Sequence, residues 1–163
     1  MRPTPLLLAA LLALPLAVNA HGDRTHAPAA AEQTPWGIAG EAGQVTRTIA
    51  LDMSDAMRFA PDSLTVEEGE TVRFIVNNRG RMLHELVIGT PDALAGHAAM
   101  MAKFPDMVHD EAYMTHVDPG QAGEIVWHFN RSGRFEFACL IAGHYEAGMR
   151  GTLVVVPRTG VEQ

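Results

Sequence analysis

Residues 133–157, GRFEFACLIAGHYEAGMRGTLVVVP, read as two β-strands joined by one loop. In the first strand Phe135, Phe137 and Cys139 fall on one face and Arg134 and Glu136 on the other, the two-residue period of a half-buried strand. MRGTLVVV leads out of the loop as a second strand rich in Val. The loop begins at the only cysteine of the chain, which ends its strand pointing inward, and then carries His144 and Met149 at even intervals.

The rest of the chain supplies partners for this pair. VTRTIAL, SLTVEEGETVRFIVNNRG, HELVIG and GEIVWHFNRSG are short runs of β-formers separated by Gly, Pro, Asn and Asp clusters, the pattern of a sandwich or barrel. Val72, Phe74 and Val76 share one face, with Thr71, Arg73 and Asn77 on the other. In HELVIG, His84, Leu86 and Ile88 share the inward face against Glu85 and Val87, which puts an imidazole at the core side of a strand start. One segment breaks the pattern. Thr90-Pro91-Asp92 is a helix start, with a capping hydroxyl, proline in the first turn and an acid behind it; ALAGHAAMMAKF follows, and Leu94, Met101 and Phe104 form the stripe expected to pack on the sheets. Residues 106–121 read as a long loop with a brief strand around 113–117. The expected fold is all-β, a sandwich with a short helix and a long loop inserted between strands.

Residues 1–20 have a basic residue at position 2, an apolar run from Leu6 to Val18 and the small-residue end VNA, which reads as an export signal cut after Ala20. The run is too short for a spanning helix, and membrane insertion is not expected. Residues 21–44, rich in Ala, Gly, Pro and Glu and holding His21 and His26, read as a flexible arm, 45–157 as one domain and 158–163 as a tail. The formal net charge of −7 argues against nucleic acid and anionic membrane surfaces as partners. One cysteine makes an intrachain disulfide impossible, so in an oxidising compartment Cys139 is an intermolecular link, a buried bystander or a ligand protected by its metal.

A thiolate, two imidazoles and a thioether are the soft donor set that suits copper cycling between two oxidation states, as a His-His-Cys plane with a weak axial Met. The loop offers Cys139, His144 and Met149, and His84 offers the second imidazole. The plain alternatives are a Cys that is a small buried hydrophobe, a Met that fills the core and a His that ends a strand.

With RFAPDSLTVEEGETVRFIVNN upstream, HEL at His84 and FACLIAGHYEAGMRG at the loop, residues 48–156 resemble the cupredoxins, the blue copper proteins of the plastocyanin and azurin type, and among them the exported bacterial members associated with copper tolerance. The resemblance implies a Greek-key β-sandwich and one type 1 copper per chain held by His84, Cys139, His144 and Met149. Cupredoxins of the plastocyanin and azurin type commonly have Asn after the first histidine, where it braces the ligand loop; this chain has Glu85.

The expected function is periplasmic copper handling and tolerance, with copper ions as ligand and a transient redox or copper-transfer protein as partner. The alternative is a small electron shuttle. Copper enzymes built on this fold wire their type 1 site through a histidine beside the cysteine. Here Ala138 and Leu140 flank Cys139, so no enzyme is expected. Weaker copper sites are expected at His21, if it becomes the first residue, and in the inserted segment at His97, Met101, Met107, His109 and Met114; simple packing of those methionines is the competing reading.

Overall fold

Thr71–Asn78 turns Val72, Phe74 and Val76 inward, each at 1% exposure or less, and becomes the middle strand of a sheet. The computed structural model describes residues 32–105, 107 and 110–159. In chain order its elements are β1 (Ile38–Ala39), β2 (Arg47–Ser54), β3 (Arg58–Ala60), β4 (Ser63–Glu67), β5 (Thr71–Asn78), β6 (His84–Gly89), α1 (Pro91–Lys103), β7 (Met114–Val117), β8 (Ala122–His128), β9 (Gly133–Ala138) and β10 (Arg150–Val156). Two five-stranded sheets form, ordered β1-β8-β5-β2-β3 and β4-β10-β9-β6-β7. Pairing is antiparallel except for β2 with β5 and β4 with β10. The two inner faces bury Phe74, Trp127, Phe129, Phe137 and Leu153 in one core, the arrangement expected of a sandwich.

Both faces of β6 are covered, because α1 lies over the side that faces away from that core. Thr90 caps the helix by accepting the Ala93 N–H at 3.2 Å. Leu94, Ala98 and Met101 then pack with Val87, Met114, Ala138 and Leu140 in a second cluster. Burying Leu94 and Met101 contributes about 1.5–3 kcal/mol each, which fixes a helix of marginal length. Phe104 departs from the expected stripe: it lies one residue past the helix end and is 59% exposed, and Ala98 takes its place against the sheet.

The folded part reaches further toward the N-terminus than Val45. Trp36 is 8% exposed, meets the Tyr113 ring edge-on at 5.2 Å and accepts the Trp127 indole N–H on its carbonyl at 3.0 Å, while β1 extends the first sheet alongside β8. A lone Trp among Ala, Gly and Pro has no periodicity, so the sequence offered no sign of it. Residues 1–31, with His21 and the expected export signal, lie outside the described residues.

Candidate metal centre

His84 opens β6 and is fully buried, as the alternation of HELVIG requires. Its Nε2 lies 3.1 Å from Asp55 Oδ1. Asp55 also accepts the Arg81 N–H at 2.8 Å and the Met82 N–H at 3.3 Å, so one carboxylate holds both the turn before β6 and the ring that follows it. The Arg81 amide, followed by the His84 ring, holds the Asp55 carboxyl below the ordinary aspartate range. With Nε2–H donated to Asp55, the Nδ1 lone pair of His84 is left buried and without a hydrogen-bond partner. An orphaned buried acceptor costs free energy unless something else takes its lone pair.

Cys139 follows the last residue of β9 and is also fully buried. Burial pushes its thiol up to about 12, against the lowering effect of the Glu85 and Ile141 backbone N–H groups. The metal-free thiol is therefore protonated at neutral pH, and a metal that binds there displaces its proton. The Cys139 N–H donates to the Met149 carbonyl at 3.0 Å, and the Met149 N–H to the His144 carbonyl at 3.0 Å, which closes the loop at both ends. Gly143 sits in the left-handed region at φ +88°, with open space around it, so the turn into His144 selects glycine for its backbone. Arg58 of β3 donates to the Ala147 carbonyl at 3.1 Å and holds the far side of the loop.

This places His144 Nδ1 3.2 Å from Cys139 Sγ. The His144 ring is neutral below its ordinary range, because burial and then the neighbouring His84 disfavour its charge. The donor atoms of His84, Cys139 and His144 all lie within 4.8 Å of one another. Met149 is fully buried in the same core cluster as Cys139. Three convergent donors, one of them an orphaned nitrogen and one a soft sulfur, fit copper.

The residues expected to form weaker sites do not gather as a group. Met101 and Met114 are 3% and 4% exposed and belong to the cluster beneath α1, which makes them packing residues. His97 and Met107 instead line, with Met100, a cavity of about 680 Å³ between α1 and the second sheet. His109 and His21 lie outside the described residues. Sequence reasoning missed Asp55 and the burial of Glu85. Glu85 is fully buried and accepts the Leu140 N–H at 2.7 Å, a fact that strand alternation alone, sending it away from the core, does not disclose.

Comparison with known proteins agrees with this chemistry. The family of copper binding proteins of the plastocyanin/azurin type matches residues 45–156. The chain is 47% identical to the copper-resistant cuproprotein CopI of Rubrivivax gelatinosus, across 95% of this chain and 96% of that one. It is 34% identical to the protein of the same name from Pseudomonas aeruginosa, across 96% of this chain and 100% of that one. A solved structure of auracyanin from Roseiflexus castenholzii superposes with a TM-score of 0.60 at 22% identity, covering 69% of this chain and 99% of that one.

Proposed function

The chain belongs to the plastocyanin/azurin family of copper-binding proteins, and on that footing we propose that it is an exported, periplasmic protein of copper handling and tolerance with one type 1 copper per chain. His84, Cys139, His144 and Met149 are the ligands in this reading. The observation that carries it is the convergence of three donors around a buried histidine nitrogen that has no other partner. Copper bound there supplies a one-electron couple. The chain's own residues do the rest: Asp55 fixes the His84 ring and its tautomer, the closed loop fixes Cys139 and His144, and the sandwich keeps both from moving. Copper tolerance follows the names of the two CopI relatives, and export follows the leader-like residues 1–20. Among the described residues no helix is long and apolar enough to cross a membrane.

Catalysis has no second centre in this reading, since Ala138 and Leu140, both buried and apolar, flank Cys139. An electron shuttle is the second reading. It is favoured by the partial exposure of His144, whose ring lies 5.0 Å from that of His84, and by the exposure of Met82 and Leu83 just before His84, apolar side chains through which a redox partner could dock. Loss of the gene separates the two. Copper sensitivity relieved by the wild-type chain but not by Cys139→Ser is expected; a respiratory defect without copper sensitivity would favour the shuttle, and full rescue by Cys139→Ser would end both copper readings.

A weaker soft-metal site belongs to the same proposal, redrawn by the fold. Met100 and Met107, 45% and 38% exposed, reach one cavity with His97, and neutral thioethers suit Cu(I). In a Cys139→Ser background, Met100→Leu with Met107→Leu is expected to remove residual Cu(I) uptake against a competing chelator. Unchanged uptake would leave these side chains as packing alone.

A further inference from the structure

We propose that Glu85 is a positioning residue of the copper site: its buried carboxylate holds the backbone immediately after Cys139 and is itself held by His116 on the neighbouring strand. The inference rests on Cys139 being a copper ligand. Glu85 sits next to His84 on β6, and alternation sends its side chain to the opposite side of the sheet, the side on which Val87 packs with Leu94, Ala98 and Met101 of α1. A fully buried carboxylate is costly unless its oxygens are engaged. Here both are. Oε1 accepts the Leu140 N–H at 2.7 Å, and Oε2 lies 2.9 Å from His116 Nε2.

Each partner follows from the register. Glu85 and His116 stand directly opposite in the antiparallel β6–β7 pair, which brings their side chains together. Leu140 is two residues past the end of β9 and 1% exposed, so its N–H lies beyond the strand ladder and cannot turn to solvent. The carboxylate satisfies that amide where the ligand loop departs from the sheet.

The length and charge of the side chain decide what it can do that the usual asparagine cannot. An asparagine offers one acceptor oxygen, and its other arm is an NH2 donor. Glutamate is one methylene longer and has two equivalent oxygens, so it reaches the ligand loop and the edge strand together. His116 is 37% exposed at its side chain, and it therefore ties the ligand loop to an edge strand at the protein surface. The negative charge behind the sulfur also favours the higher oxidation state of a bound metal.

The test uses Glu85→Gln, which keeps the acceptor and removes the charge, together with Glu85→Ala and His116→Ala. In the metal-free protein the Leu140 amide is expected to exchange with solvent slowly in the wild type and in Glu85→Gln, and faster in Glu85→Ala and His116→Ala. This readout involves no copper, so it stands or falls separately from the ligand assignment. In the copper-loaded protein, Cu(II) affinity is expected to fall about 10–100-fold in Glu85→Ala, the usual cost of losing a group that supports a ligand. Glu85→Gln is expected to recover most of that affinity while its reduction potential moves up. The double variant Glu85→Ala/His116→Ala is expected to lose no more than Glu85→Ala alone, because His116 acts through the carboxylate. Wild-type Leu140 exchange in Glu85→Ala, or a Glu85→Gln potential equal to the wild type, overturns the proposal. Additive losses in the double variant remove His116 from it. If Glu85→Ala does not fold, Glu85→Gln still decides through its potential.

Discussion

Cys139→Ser is expected to abolish the intense visible band expected of the copper-loaded protein and, with it, tight Cu(II) binding. The colour of a type 1 site comes from charge transfer between a thiolate and Cu(II), and a serine hydroxyl offers neither the soft sulfur nor an anion at neutral pH. The loss in affinity is expected to exceed the roughly 10–100-fold that removal of a merely supporting group costs. The substitution also has a structural side. Cys139 is fully buried within the main core, so a hydroxyl there costs about 1–3 kcal/mol where it lacks a partner, and the metal-free variant melts somewhat earlier than the wild type. Absorption and circular dichroism recorded on the same sample separate the two effects: a folded, colourless protein is the expected result. A folded Cys139→Ser protein that keeps the band would remove Cys139 as a ligand. Met149→Leu is the contrasting case, expected to keep copper and shift the potential, since an axial thioether tunes the metal more than it holds it.

How far the sequence could be read depended on whether a residue's role was written in periodicity or in distant contacts. Val72, Phe74 and Val76 alternate with polar neighbours, and Phe135, Phe137 and Cys139 do the same, so strand identity and inward direction follow from local spacing. The helix start at Thr90 is equally local, since cap, proline and acid lie within three residues. The donors also announce themselves, because a single Cys followed by His and Met in one loop is an unusual concentration of soft atoms. Glu85 was different. Alternation correctly turned it away from the main core, but whether that side meets water depends on α1, whose packing is set by Leu94, Ala98 and Met101 and not by anything near Glu85. Asp55 was hidden for a similar reason: its bond to His84 spans 29 residues and joins two turns that carry no shared pattern. The methionines mark the limit most plainly. Met100 and Met101 are neighbours in sequence, yet one is 45% exposed at a cavity and the other 3% exposed in a core. Composition alone had treated the inserted methionines and histidines as one group.

The second large effect is expected at Asp55. Its carboxylate joins the turn before β6 to the His84 ring through the Arg81 N–H, the Met82 N–H and His84 Nε2. The turn is also held from its other side: Asn78 accepts the Gly80 N–H at 2.8 Å and donates to the Met82 and Val117 carbonyls at 2.7 and 2.8 Å. Asp55→Ala leaves that second support in place while it removes the acceptor of the Arg81 and Met82 N–H groups and the group that keeps the Nε2 proton and aims Nδ1. Cu(II) affinity is therefore expected to fall about 10–100-fold with little loss of fold. Asp55→Asn, whose carbonyl can still accept from Nε2, is expected to recover most of it. Gly80 offers an independent route to the same result. A Cβ at Gly80 would overlap Asp55 Oδ1 and stand 2.7 Å from its Cγ, so Gly80→Ala drives the carboxylate off His84 without changing any polar group. Competitive Cu(II) titration of the three variants, beside the His84 ring proton resonances of the metal-free protein, decides the matter. Asp55→Ala and Gly80→Ala are expected to weaken binding together and to release the Nε2 proton to exchange, and wild-type affinity in both would show that the sandwich alone holds the ring.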